Sequence, residues 1–560
     1  NSYEQKIGHQ HIIRHSKIQM TMQFHMSGGK AMVIADLEQK SCEEYAYKKD
    51  FRTALPQFLA VSAKNLLLLG YGMTLGFSTI LMPAIQNPKD GEILHLNKSE
   101  ISWISSINLI IVPLGCALSG MVTSPLGRRR AMQMVNVPFF MAWLIFHFST
   151  TTGHLYGALF ITGLAGGLLE APVLTYVAEI TQPHLRGALA ATSSLCIILG
   201  VFTQFLFGIF LYWRTVALVN IAFTILAVFA LCFVPESPHW LVSKKRNDDA
   251  RQSLQWLRGW TTPSAVEREL RDIQALFKTE KNDEETYSEK MSHYLRKSFL
   301  LPFFLVTFSF FVGNFSGMTT LQTYAVSIFQ MLKAPIDKYY ATLILGVLQI
   351  VGSGACVLLV HYTGKRALTL FSTGGAGVCC ILVASYDIYI KTNGFDETIK
   401  ANNDTKIAGV TTSEGIEEEV RNPYSWMPMT LLMLLALIAH TGLRLLPWIL
   451  IGEVGRPLRD SNLDSVHRCL TCKNNKGLLD LIHYLGTVLK ARARFVGVIV
   501  FYFILPETEG KRLNDIENHY AGGTKLTNKV FRSTKKPQSD VSKMRELKGA
   551  TNHTFEGDTS

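Results

Sequence analysis

The chain has 560 residues, 48% of them hydrophobic and only 18% charged, with a formal net charge of +12. A soluble protein carries about a quarter charged residues, so the composition argues against an ordinary soluble chain. The positive charge does not point to nucleic acid, because Lys and Arg sit in connections between long apolar runs, where membrane topology requires them.

Residues 1–53 are polar, begin with Asn1 and carry no signal-peptide pattern; they read as a cytoplasmic tail. A run of about 18 or more apolar residues is long enough to span a bilayer. Ten such runs follow, at 58–84, 104–123, 131–149, 155–178, 188–211, 215–234, 300–323, 340–361, 368–390 and 427–452. Each is expected to be helical, since a lipid-exposed backbone must satisfy its own hydrogen bonds. The first six make an N-terminal half, 54–234. Residues 235–298 form a polar central loop, in which Asp248–Leu257 and Val266–Phe277 alternate charge and apolar residues at helical spacing. Residues 299–453 hold spans seven to ten. An anomalous charged segment, 454–494, takes the place of an eleventh span; its best apolar piece, Leu478–Leu489, is short and contains Asp480 and His483. Residues 495–511 read as a truncated last span with its end motif, and 512–560 as a cytoplasmic tail. The expected fold is therefore an all-α membrane protein with the eleventh span missing.

Arg128, Arg129 and Arg130 follow span two, Lys244, Lys245, Arg246 and Arg251 follow span six, and Lys365 and Arg366 follow span eight. All fall on one side, which the positive-inside rule makes cytoplasmic. The Asn-x-Ser/Thr patterns at Asn97 and Asn403 fall in loops on the other side and are expected to be glycosylated, whereas the one at Asn314 lies within a span. Nine cysteines are present, many inside apolar runs, and no disulfide framework emerges. Cys469 and Cys472 make one pair, where a zinc site needs four ligands, so no metal is expected.

The chain repeats itself. Gly127-Arg128-Arg129 returns as Gly364-Lys365-Arg366, Glu179 as Glu453, and Pro235-Glu236-Ser237-Pro238 as Pro506-Glu507-Thr508-Glu509. Two parallel six-span repeats with substrate held between them is a transporter architecture. These motifs, with Arg186-Gly187, Trp213-Arg214 and Pro447-Trp448, resemble in order and spacing the sugar porters of the major facilitator superfamily. The runs Gly72–Ser78 and Asn314–Gln322 look like the insect facilitated trehalose transporter-like branch. The resemblance implies two pseudo-symmetric six-helix halves, a carbohydrate substrate, alternating access and a multi-pass location, with the plasma membrane expected. It also marks departures. Ser124 and His361 stand where the family has Asp, and Ala158 where it has Arg, groups of a cytoplasmic charge relay. Ser194, Gly313, Asn314 and Thr319 replace amides that help bind hexoses, and Ser78 replaces the Asp of proton-coupled members.

The expected cytoplasmic gate comprises Arg128, Arg129, Glu179 and Arg186, with Lys365, Arg366 and Glu453 in the second half. A carboxylate at a helix C-terminus is disfavoured by the helix dipole, so Glu179 and Glu453 need basic partners. Expected substrate contacts are Glu170, Thr319, Thr320, Gln322, Arg444 and Trp448. Thr319, Thr320 and Gln322 could equally bond backbone or a neighbouring helix, and Tyr324 stands open between packing and the cavity. Lys64 is expected to snorkel to the cytoplasmic surface. Glu170 and Arg444 each precede their repeat-related glutamate by nine residues, about 13.5 Å along a helix and near half of a ~30 Å hydrocarbon core. They are expected to meet across the cavity in at least one state of the cycle.

No Gly-x4-Gly-Lys-Ser/Thr loop is present, which excludes a P-loop pump. No nucleophile, metal or acid–base constellation suggests an enzyme, and no cofactor is expected. Facilitated diffusion is the leading expectation; a proton symporter using Glu170, and a non-transporting isoform or sensor, remain open beside it.

Overall fold

The structure, a computed structural model, describes residues 51–86, 94, 96–282, 297–314, 316–332, 335–392, 426–445, 447, 484–508 and 519–520. The chain falls into two compact units, Asn1–Pro56 and Gln57–Ser560, and only residues 51–56 of the first are described.

All regular structure among the described residues is helical. The N-terminal half contains α1 (Phe51–Gln86), α2 (Lys98–Leu126), α3 (Arg128–His147), α4 (Thr152–Leu168), α5 (Glu170–Ile180), α6 (Pro183–Phe210) and α7 (Trp213–Cys232). Three short helices follow, α8 (Pro238–Ser243), α9 (Asn247–Leu257) and α10 (Pro263–Asn282). The C-terminal half contains α11 (Lys297–Asn314), α12 (Met318–Thr323), α13 (Ala325–Met331), α14 (Lys338–Thr363), α15 (Lys365–Thr392), α16 (Trp426–His440) and α17 (Tyr484–Ile504). Among the described residues, seven stretches are long and apolar enough to cross a membrane, and two shorter apolar helices, Leu300–Asn314 and Trp426–His440, accompany them. Large apolar side chains such as Met121, Phe210 and Phe503 stand two-thirds exposed or more, a surface suited to lipid rather than water.

Lipid gives little hydrophobic drive for one helix to bind another, so close packing at small residues takes over. Gly115 of α2 and Gly167 of α4 show this. A Cβ on either would overlap the other helix's backbone, at Leu164 and at Val112 respectively. The repeat seen in the sequence recurs in the packing. Helix α2 packs on α4 as α14 packs on α16, and α3 packs on α7 as α15 packs on α17. Helices α6 and α14 join the halves.

Three elements differ from expectation. Span seven is not continuous over 300–323; α11 stops at Asn314, and Gly317, at φ +70°, begins a new helix. The last helix begins at Tyr484, not near Phe495. Its Arg494 is fully buried, donating to the main-chain oxygens of Ala376 and Ser316 and to Cys380 Sγ, which lets a charged stretch join the bundle. Lys64 does not snorkel. It is fully buried and donates to Ser193 Oγ of α6.

Helices α8 to α10 close over their own apolar core of Trp240, Leu241, Leu254, Leu270 and Ile273. Arg258 pairs with Glu269 at 2.5 Å and donates to the oxygen of Ile180 at 3.1 Å, pinning this layer to the end of α5.

Candidate functional site

The end of the N-terminal half at Gly127 is organised around a backbone problem. Helix α3 starts directly after Gly127, whose φ of +91° makes the turn and whose missing side chain leaves the first amides uncapped. Glu236, just past span six, supplies the cap. Its Oε1 accepts from the amides of Arg128 and Arg129, each at 2.9 Å, and Oε2 from Arg130 at 3.4 Å. A Cβ on Gly127 would lie 2.7 Å from Glu236 Oε2, so glycine is needed for space as well as for φ. A carboxylate at this position also meets the positive end of the helix dipole.

The same neighbourhood holds the expected gate residues. Arg128 Nη2 lies 2.8 Å from Glu179 Oε1, both half-buried. Ser237 Oγ donates to the other oxygen of Glu179. Arg129 Nη1 donates to the oxygen of Val234 at 2.9 Å, and Trp240 Nε1 to that of Ser124 at 3.0 Å. The second half repeats the cap. Glu507 accepts from the amides of Lys365 and Arg366, each at 3.1 Å, and the Arg366 guanidinium lies over the Tyr502 ring at 5.3 Å. The side chain of Arg186, and Glu453, Trp448 and Asn403, lie outside the described residues. Ala158 does not belong to this end. It is buried with Phe77, Trp143 and Trp213, roughly 30 Å along the helix from Glu179.

Midway through each half a spanning helix breaks, and a serine from a neighbour fills the gap. Pro172 has no N–H to give the oxygen of Leu168. Ser119 Oγ of α2 donates to that oxygen at 2.6 Å and accepts from the amide of Ala171 at 3.1 Å. Glu170 stands between these two points, half-buried and engaged in a contact of its own. In the second half, α16 ends at His440 and the chain turns through Leu445. Ser372 Oγ of α15 donates to the oxygen of Ile438 at 2.6 Å and accepts from the amide of Leu443 at 2.9 Å. Arg444 follows at once.

Arg444 Nη1 donates to Thr319 Oγ1 at 3.2 Å, so two of the expected substrate residues meet at the broken span seven. No ion pair between Arg444 and Glu170 is among the described contacts. Thr320 lies half-buried in the last turn of α12, its oxygen accepting from the amide of Tyr324. The main-chain oxygen of Gln322 accepts from Thr79 Oγ1 at 2.8 Å, and Tyr324 meets Ser105 Oγ. These two contacts join the halves at the ends away from Gly127 and Gly364. Asn97 is exposed at the start of α2, its amide donating to Glu100 Oε2 at 2.8 Å.

The residues that pattern reading passed over are Glu236, Ser237, Glu507, Ser119 and Ser372. For the two glutamates a signal existed, since both sat in the repeated Pro-Glu motif. Ser237 shares that motif, but Ser119 and Ser372 gave no signal, because a hydroxyl in an apolar run looks like filler.

A family model described as "Sugar (and other) transporter" matches residues 36–413. The chain is 26% identical over 458 residues to the facilitated trehalose transporter Tret1 of Bombyx mori, covering 80% of this chain and 83% of that protein. It is 25% identical over 470 residues to Tret1 of Culex quinquefasciatus, covering 82% and 85%. The fold is similar to the proton:xylose symporter XylE bound to 6-bromo-6-deoxy-D-glucose, with a TM-score of 0.61 at 17% identity over 84% of this chain and 100% of that one. A partially occluded inward-open conformation of XylE from E. coli gives 0.60 at 17% identity over 81% and 99%. At such identity the likeness is one of fold.

Proposed function

Because the chain belongs to the sugar transporter family of multi-pass membrane carriers, we propose that it moves trehalose or a related carbohydrate across the plasma membrane by facilitated diffusion, through alternating access to a site between its halves. One observation carries the reading. Each half is clamped to itself at its cytoplasmic end through Glu236 or Glu507, while the bonds from Thr79 and Ser105 to Gln322 and Tyr324 join the halves near their outer ends. Two bodies that meet where α6 packs on α14 and are otherwise held by separable polar contacts are what rocking about a central site requires.

The test is uptake and counterflow of labelled trehalose in cells that display the chain at their surface. Saturable uptake with exchange and no dependence on a proton gradient is expected. Absence of counterflow with trehalose and with every other carbohydrate tried, from cells with confirmed surface protein, defeats the proposal. Glu170 favours a second reading, proton symport, since it is a half-buried carboxyl at the break in span four. Accumulation driven by an inward proton gradient and abolished by Glu170→Gln would select that reading.

A further inference from the structure

Arg444 occupies an unusual place. The backbone break beside it is already satisfied by Ser372, so the guanidinium is not needed to cap the chain. Its described side-chain partner is one neutral hydroxyl, Thr319 Oγ1. A guanidinium carries five N–H donors in a fixed fork and stays charged at any ordinary pH. At membrane depth such a charge calls for an anion or an equivalent set of acceptors. Arg494 meets that demand with two main-chain oxygens and a sulfur. The described contacts of Arg444 contain no carboxylate.

The position of Thr319 fixes where the fork lies. Thr319 precedes Gln322 by three residues on α12, about 4.5 Å along the axis and on the same face. The oxygen of Gln322 is bonded to Thr79 of the other half. Arg444 therefore reaches α12 about one helical turn from a contact between the halves, and it is only half-buried there. Two broken helices meeting at the seam are the usual construction of a carrier's binding site. A planar, bidentate cation in it recognises a planar, bidentate anion.

We infer that Arg444 binds the carboxylate of an acidic sugar, so that the preferred substrate is a hexuronate-like sugar acid rather than a neutral saccharide. The inference rests on the sugar-transport reading and narrows its substrate. The guanidinium fork takes the two carboxylate oxygens, Thr319 stays on Nη1 and orients the fork, and the carboxylate of Glu170 in the opposite half accepts hydroxyl hydrogens of the sugar. No bond is made or broken and no proton moves.

The experiment compares uptake of labelled glucuronate and labelled glucose by the full chain, by Arg444→Gln and by Arg444→Lys, each normalised to surface protein. A thermal-shift measurement on the purified wild-type chain with the same two compounds needs no variant. The expected result is glucuronate uptake above glucose uptake, and a melting shift with glucuronate that glucose does not match. The glucuronate-to-glucose ratio should fall about ten- to a hundred-fold in Arg444→Gln, the range for a lost charged hydrogen-bond partner, and partly recover in Arg444→Lys. Glucose uptake without glucuronate uptake, or a ratio unchanged in Arg444→Gln, overturns the inference and leaves sugar transport standing. No transport of glucuronate, glucose or trehalose by surface-displayed protein, and no melting shift, overturns both.

Discussion

Glu236 is the side chain whose loss the fold should feel most sharply at the Gly127 end of its half. In Glu236→Ala, the amides of Arg128 and Arg129 lose a charged acceptor at 2.9 Å each, and no side chain of Gly127 can replace it. Two hydrogen bonds to a charged group contribute about 3 kcal/mol together, and removing the anion from the helix terminus adds roughly 0.5–1 kcal/mol. The expected loss is therefore about 3–4 kcal/mol. Glu236→Gln keeps an oxygen for both short bonds and gives up only the charge and the 3.4 Å contact with Arg130, so it should lose about 1 kcal/mol. Glu507→Ala should behave like Glu236→Ala, because it caps Lys365 and Arg366 in the same manner. Glu267→Ala, which removes an exposed partner of Arg251, is the control and should cost no more than about 1 kcal/mol. Thermal unfolding of the purified chain in detergent, followed by tryptophan fluorescence, ranks the four. If Glu236→Ala is no less stable than Glu236→Gln, or matches the Glu267 control, the carboxylate is not the cap.

Further outcomes follow from the other contacts. Ser119→Ala and Ser372→Ala should each lower stability by about 1–3 kcal/mol by leaving a buried carbonyl and amide unserved, while the corresponding change at Ser243, exposed on α8, should stay within about 0.5 kcal/mol on the same melting assay. Tyr324→Phe removes the hydroxyl that meets Ser105 and should raise labelling of an engineered cysteine at Thr79 by an impermeant thiol reagent; unchanged labelling counts against an outer joint there. Asn97 and Asn403 should each carry glycan when the chain is made in a eukaryotic membrane and Asn314 none, as read by glycosidase shifts on single Asn→Gln variants. Replacing 454–483, ahead of α17, with an apolar span of the family's length should increase uptake several-fold, and equal uptake by both forms would show that this segment does not limit transport.

Much of this architecture was legible because the bilayer leaves few options. A run such as Trp213–Cys232 has one stable conformation in lipid, and its length sets its role. Arg128 was legible as a candidate partner of Glu179 because a carboxylate at a helix C-terminus needs a basic neighbour and because the family resemblance puts both at the gate. Lys64 was misread because a lysine near a helix end usually reaches for water, and only the placement of Ser193 on α6 shows a partner inside. Span seven was misread because Gly317 lies in an apolar run, and hydropathy does not register a left-handed φ. Arg494 hid for the opposite reason. Three basic residues in five positions look polar, yet carbonyls of Ala376 and Ser316 absorb one of them. For the site, residue type announced Glu170 and Arg444, but the serines that make room for them carry no pattern.

The Glu236 and Glu507 contacts have a mechanical meaning. Glu236 lies 108 positions after the amide it holds, and Glu507 lies 142 positions after its own. Each contact closes a hoop of chain that runs through several membrane crossings and returns to where it began. A hoop transmits load around its circumference, so a pull on any helix within it is shared rather than passed on to the next segment. It also tolerates edits between its fastened ends. The second hoop encloses the whole charged stretch from 454 to 494, and its closure at Lys365 and Arg366 requires only that the chain return to the side of the membrane it left. A lineage could lengthen, shorten or replace the insert while the rim of the half stayed fastened.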